Sequence, residues 1–499
     1  MVVRMFFATT LLLSSVALPV NADVTEAELE AISIPDKVET PIGTLEFFDG
    51  VPVGDTVDKV YDNLDLMRGV AAYLDNQGAA SLYAMRMGNA GIGADASNKF
   101  TITERLLQPE SLYLTGNTST LYALGYIDLK AEGPLVIELP PGMLGFVDDA
   151  WFRFVENLGA IGPDKGKGGK YLFLPPGYAG SVPDGYFVVR SATYHNLVFL
   201  RGSVKDGLAA AVDNIKSRLK VYPLAKADNP PATEFVDFSG VSYNTVAPNN
   251  FSYFEGLNAV VQEEPIDAIG PEARGLLAAI GIVKGQPFQP DARMQALLGQ
   301  AAMIGNATAR AITYDPRIDG VYIYPDTNSA WTTAYANKNT SFVSDGAMGL
   351  DARVLFYFNA TGVTPAMAAT TAGRGSDYAL AYVDAQRKAF DGSKTYKLHL
   401  PKDVPVNDFW AVTLYDTQTR SLLQTGQEFP TVGSESKGMT PNADGSYDIY
   451  FAPEAPEGKE GNWLQTVPGK SWFTILRMYG PLEPWIDKNW RPGEIELVE

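Results

Sequence analysis

Two segments near the C-terminus hold residues whose types and spacing suit chemistry: Phe409 to Asp416 (FWAVTLYD) and Ser471 to Pro481 (SWFTILRMYGP). Both read as strands. Alternate side chains of a strand share a face, so Trp410, Val412, Leu414 and Asp416 go together in the first, and Phe473, Ile475, Arg477 and Tyr479 in the second. Each apolar face thus carries one ion, and an interior ion is costly unless it is paired. The pattern predicts an Asp416–Arg477 pair in which the carboxylate fixes the guanidinium fork. Such a pair either locks a polar core or lines a binding site. In the second case Arg477 orients a ligand oxygen or carboxylate, Trp410 and Trp463 stack, and Asn462 and Tyr479 complete the wall. An earlier β region has a similar pattern: Tyr122, Leu124, Tyr126 and Asp128 share one face of a strand, and Leu197, Phe199 and Arg201 share a face of another. Tyr122, Asp128 and Arg190 are its candidate site residues.

Much other chemistry is excluded. The chain has no cysteine and two histidines, His195 and His399. Thiol nucleophiles, redox pairs, polyhistidine zinc sites and the HExxH metalloprotease motif are therefore absent. There is no Gly-x-Ser-x-Gly elbow. The loop GPDKGKGGK, 162–170, lacks the Ser or Thr of a phosphate loop, and Gly469-Lys470-Ser471 lacks its leading glycine, with Leu464 in that place. No cofactor motif is evident, and the only metals the composition suits are calcium or magnesium held by oxygen. Asn442 to Asp448 (NADGSYD) spaces oxygen donors for such an ion, but Asp-Gly between strand runs reads as a turn. Paired carboxylates that hydrolyse glycosidic bonds remain open, although the sequence singles out no pair. The formal net charge of −19 argues against nucleic acid as a partner. The 25 tyrosines and 7 tryptophans suit either a large aromatic core or stacking on a saccharide.

The elements that must position these residues alternate between helical and β textures. Arg4, the apolar run Met5 to Leu18 and Val20-Asn21-Ala22 form a secretory signal over 1–22, predicting export to a periplasm or the exterior. No later stretch reaches the roughly 18–20 apolar residues of a membrane-spanning helix. Residues 23–99 read as a helical region, with helices over 25–34, 56–74 and 79–87. A first β domain covers 100–203. A helical connecting region covers 204–315, with helices after Ser203, over 272–280, and over 292–312 behind an Asp291 cap. Within it, residues 225–250 read as a loop-rich connector. A second β domain, interrupted by a helix over 364–371, fills 316–499. The fold class expected is mainly β with helical segments (α+β): two jelly-roll-like β-sandwich domains plus a helical portion.

Phe409-Trp410, Tyr415-Asp416, the turn Asn442 to Ser446, Asn462-Trp463-Leu464, Arg477 to Pro481 and Trp490-Arg491-Pro492 together resemble the domain of unknown function 1214. Asn117 to Tyr122, Asp128 to Pro134, Asp149-Ala150-Trp151, Pro175-Pro176-Gly177, Arg190 and Arg201 resemble its companion, the domain of unknown function 1254. Ser119 stands where that family usually has an aspartate. The resemblance implies an exported bacterial protein of two β-sandwich domains with a helical portion, and no settled activity. Three functions follow as expectations. The first is binding or processing of a small polar or saccharide ligand in a cleft between the β domains. The second is a carboxylate-dependent hydrolase, with or without a divalent cation. The third is a non-enzymatic envelope interaction protein.

Overall fold

The computed structural model describes residues 24–498, so the expected signal lies outside the described residues. The described residues divide into two compact units, with the boundary between Leu64 and Asp65. In the first, the helix Glu26–Ile32 opens with a reciprocal capping box between Thr25 and Glu28. An antiparallel meander of Lys37–Thr40, Gly43–Phe48 and Val51–Val53 follows. The region 23–99, read as helical, thus also holds a small sheet between the helices expected over 25–34 and 56–74. The signal was present in Asp49-Gly50, whose φ values of 46° and 80° make a tight hairpin turn.

The second unit contains two sandwiches of sheets. In the first, a six-stranded sheet runs in the order Glu234–Asp237, Lys99–Ile102, Leu121–Asp128, His195–Gly202, Met143–Asp149, Phe154–Gly159. It packs on a four-stranded sheet of Phe187–Arg190, Gly169–Leu174, Leu135–Leu139 and Lys220–Pro223. Leu121, Ala123, Val198 and Leu200 from the larger sheet meet Leu135, Ile137, Tyr171 and Phe173 from the smaller. In the second sandwich, Ser376–Ala381, Trp472–Pro481, Val406–Asp416 and Thr431–Gly433 form one sheet. Trp463–Gln465, Tyr447–Ala452, Tyr396–Leu400 and Ile495–Leu497 form the other. Trp410, Val412, Leu414, Leu476 and Met478 fill the space between them with Leu398, Ile449 and Phe451. At about 1.5–3 kcal/mol for each fully buried large apolar side chain, these cores hold the sandwiches without disulfides.

The sandwiches also share a core. The remaining faces of the six-stranded sheet and of the Trp472–Pro481 sheet contribute Tyr122, Leu124, Phe146, Leu197 and Phe199 from one side and Tyr378, Leu380, Tyr415, Phe473 and Ile475 from the other. Phe356 and Tyr357 of the helix Leu350–Asn359 join them. That helix is a further addition to the expected scheme, and the one expected over 364–371 shortens to Pro365–Ala368. The long helices run Thr56–Asp75, Gln77–Gly91, Pro271–Ala279 and Ala292–Tyr314, the last capped by Asp291 onto the Met294 amide. The stretch read as a loop-rich connector holds the strand Glu234–Asp237, which pairs in parallel with Lys99–Ile102, and the helix Ser252–Glu263 follows it. The helix expected after Ser203 starts at Leu208 behind Gly207, whose φ of 97° suits glycine.

Candidate functional site

Trp472–Pro481 is a central strand, and its register sets Arg477 opposite Tyr378 on one neighbour and Ala411 on the other. Directly paired residues of an antiparallel sheet point to the same side. Arg477 therefore shares a face with Phe409, Ala411, Thr413 and Tyr415, whereas Trp410, Val412, Leu414 and Asp416 occupy the opposite face. The expected Asp416–Arg477 pair does not form. Asp416 instead accepts from the Gln418 and Thr419 amides at 2.6 and 3.1 Å and from Lys470 Nζ at 2.5 Å. Alternation had given the faces within each strand correctly; the register between strands decided the outcome.

Arg477 is 5% exposed. Its Nη2 donates to Thr115 O at 2.7 Å and to Tyr415 Oη at 2.6 Å, and its Nε has no partner. The guanidinium lies 5.1 Å from the centre of the Tyr378 ring. From the facing sheet comes Arg201, which the register sets opposite Tyr122 and Leu144. Its guanidinium lies 5.6 Å from the Tyr122 ring centre and 5.3 Å from that of Phe199. Its charge acts on Tyr378, and its Nε is likewise buried without a partner. Each sandwich thus sends one arginine, beside a cross-strand tyrosine, toward the other.

Between them is a cavity of about 70 Å³ lined by Arg201, Arg477, Tyr122, Tyr378, Thr115 and Asn359, together with apolar residues of the shared core. Asn359 Oδ1 is buried and also unpartnered. No aspartate or glutamate lines the cavity. By contrast, the buried Asp149 carboxylate has an arginine partner, the exposed Arg153 at 2.6 Å. Burial alone would push the Tyr378 phenol up; Arg201 and Arg477 beside it outweigh that and bring it below the ordinary tyrosine range. Ser376 Oγ, 2.6 Å from the Tyr378 hydroxyl, adds to the effect.

Of the residues expected at a site, Arg477 and Tyr122 line the cavity. Tyr479 adjoins it on the Arg477 face, its ring 4.1 Å from that of Phe409 and its hydroxyl unpartnered. The others lie elsewhere. Trp410 is in the core between the sheets of the second sandwich. Trp463 donates its indole N–H to Ala452 O at 2.8 Å. Asn462 bridges Thr440 and the Asp448 carbonyl. Arg190 is exposed and donates to Tyr178 O at 3.2 Å. Sequence reasoning missed Arg201, Tyr378 and Asn359 as site residues. The signal for Arg201 was its likeness to Arg477: each ends an apolar alternation along a strand.

Asp128 belongs to a second constellation at the other end of the same face, directly opposite His195. His195 Nδ1 lies 2.7 Å from Glu264 Oε1, and its Nε2 lies 3.6 Å from Asp128 Oδ2. Glu264 also accepts from the Tyr194 and His195 amides, and Glu263 pairs with Arg86. Burial alone would lower the His195 pKa, but Asp128 and Glu264 raise it to about 9. Burial likewise disfavours the Asp128 charge, and His195 together with the Ala131 and Lys130 amides more than offsets it, holding that carboxyl at about 2. The ligand atoms of His195, Glu263 and Glu264 lie within 4.8 Å of one another, near enough for a metal ion. In this structure the same side chains are engaged with one another, His195 with Asp128 and Glu264 and Glu263 with Arg86. The constellation works as an ion cluster tying the six-stranded sheet to the end of the helix Ser252–Glu263.

Among the described residues no helix is long and apolar enough to cross a membrane. The fold is similar to the crystal structure of the VPA0106 protein from Vibrio parahaemolyticus, at 20% identity and a TM-score of 0.52, covering 87% of this chain and 100% of that one. A structure of an uncharacterized protein from Burkholderia cenocepacia aligns at 14% identity and a TM-score of 0.39, over 89% of this chain and 97% of that one. No curated protein matches the chain. Two family models do match, in the expected order: residues 97–223 match the protein of unknown function DUF1254, and residues 375–483 match the protein of unknown function DUF1214.

Proposed function

We propose that this protein is an exported binding protein for a small anionic ligand, held in the cavity between its two β sandwiches by Arg201 and Arg477. One observation carries the reading. Two guanidiniums from separate sheets converge on one cavity that has no carboxylate in its wall, and each keeps a buried N–H unpartnered. An uncompensated buried ion costs several kcal/mol, so the buried Arg477 with the half-buried Arg201 beside it calls for an anion to complete the site. Guanidinium forks match carboxylate and phosphate geometry, which makes these the favoured groups. A neutral saccharide would leave both charges uncompensated, and a carboxylate hydrolase would need acidic residues that this wall lacks. The cavity of about 70 Å³ exceeds the roughly 10–15 Å³ needed by one water and suits a single anionic group. Export rests on the signal-like sequence of residues 1–22.

The test is a thermal-shift and calorimetric screen of the protein with acetate, phosphate, sulfate and hydroxy acids. A binding anion at one hundred times its dissociation constant adds about 2.7 kcal/mol of stability. That stabilisation should vanish in Arg201→Gln and in Arg477→Gln. If no anion stabilises the protein, or if both variants respond as the parent does, the proposal fails.

A further inference from the structure

The inner cavity has a neighbour. A second chamber of about 200 Å³ shares Thr333, Ala334, Tyr335, Met367 and Tyr378 with it, so these residues form the partition between the two. Two lysines line the outer chamber, Lys338 and Lys488. Both are exposed and both have left-handed backbones, with φ of 56° and 63°. That conformation is uncommon outside glycine and persists where surrounding structure enforces it. Neither lysine is held by a carboxylate: Lys338 Nζ reaches Thr370 Oγ1 at 3.4 Å, and Lys488 Nζ lies 5.2 Å from the Trp485 ring centre. The one acid in the wall, Asp377, accepts from Thr370 Oγ1 at 3.1 Å, Trp485 Nε1 at 2.9 Å and the Tyr378 amide at 2.9 Å. Burial lowers the Lys488 pKa, Asp377 opposes this, and Lys338 adds a smaller lowering. The outer chamber therefore carries excess positive charge in a protein of formal charge −19.

Building on the anion-binding reading, we infer that the ligand is an organic dianion, one acidic group held by Arg201 and Arg477 and the other by Lys338 and Lys488, its skeleton lying along Tyr335 and Tyr378, which line both chambers. The outer group faces exposed ammonium ions, where an ion pair contributes up to about 1 kcal/mol. Two such contacts give a preference for dianion over monoanion of about tenfold.

The experiment measures calorimetric dissociation constants for a series of α,ω-dicarboxylates of increasing length, the matching monocarboxylates, and phosphonocarboxylates. The last distinguish a phosphorylated acid from a dicarboxylate. The expected result is a dianion-to-monoanion ratio of about tenfold at one preferred length, collapsing toward unity in Lys338→Gln/Lys488→Gln and retained in Lys338→Arg/Lys488→Arg. A ratio near unity in the parent, or one that survives the double glutamine variant while Arg477→Gln abolishes binding, overturns the dianion and leaves the anion site standing. Absence of binding by every acid overturns both.

Discussion

Replacing Arg477 with methionine separates a binding arginine from a structural one. The side chain makes two short charge-assisted hydrogen bonds, to Thr115 O and Tyr415 Oη. Bonds to a charged group contribute about 1.5–3 kcal/mol each, so their loss removes roughly 3–6 kcal/mol. Against this, the guanidinium is buried without a counter-ion, and its desolvation costs several kcal/mol that methionine of similar length recovers. Tyr415 also keeps a partner, because its hydroxyl donates to Gly116 O at 2.8 Å. The two sums nearly cancel, and Arg477→Met should change the stability of the ligand-free protein by less than about 2 kcal/mol in either direction. Asp149→Ala provides the calibration. It removes a buried carboxylate from the exposed Arg153 side chain and from the Trp151 and Arg153 amides, and should cost about 1–3 kcal/mol for each buried donor left without a partner. Urea unfolding midpoints with and without phosphate give both quantities. A loss of more than about 4 kcal/mol in Arg477→Met, with the anion response intact, would make Arg477 a core lock and refute the argument.

Tyr378, flanked by two guanidiniums, should ionise below the ordinary tyrosine range. An alkaline absorbance titration should therefore show an early phenolate that Tyr378→Phe removes; an unchanged curve in that variant excludes the assignment. His195 has its pKa raised to about 9 from 6.5, so its cluster contributes fully below pH 6.5 and loses that contribution as pH rises through about 9. Imidazole NMR, with His399 as the second signal, measures this directly, and a His195 midpoint near 6.5 would dismantle the cluster. Asp128, lowered to about 2 from 3.8, contributes above pH 3.8 and fades as pH falls through about 2. Asp416→Asn should cost about 1–3 kcal/mol by weakening its bonds to two amides and Lys470. It should leave the anion response untouched; loss of that response would place Asp416 back in the site.

Period-two alternation in the sequence identified the strands around Tyr122, Arg201 and Arg477 and the face each side chain takes. It could not identify the partner strand or its register. Arg477 and Asp416 were matched as opposite charges because each ended an apolar face, yet the pairing of Ala411 with Arg477 and of Asp416 with Trp472 put them on opposite sides of one sheet. Tyr378 was invisible for a related reason. The segment SDYALA shows nothing that singles out its one tyrosine, whose importance comes from the strand it adjoins. The strand at Glu234–Asp237 was missed because its four residues follow Pro230-Pro231 and gain their pairing from Lys99–Ile102, over one hundred residues earlier. Hairpin turns and helix caps act within a few residues and were available to be read, as Asp291 was and Asp49-Gly50 was not.

The strong acidity of the chain bears on why its unpaired cations are inside. A negative global potential makes a buried guanidinium less unfavourable than it would be in a neutral protein, but the same potential repels an approaching anion. Exposed charges are screened beyond about 8–10 Å at ordinary salt, so local groups near an entrance can outweigh the distant ones. Lys338 and Lys488 on the chamber beside the cavity supply such a local field. The inner arginines come one from each sandwich, Arg201 on His195–Gly202 and Arg477 on Trp472–Pro481. Either sandwich alone would carry a single arginine open to water, with no reason to hold an anion tightly. The packing of the two faces brings the charges together, so the proposed site is a property of the pair of domains, and this gives a physical reason for them to share one chain.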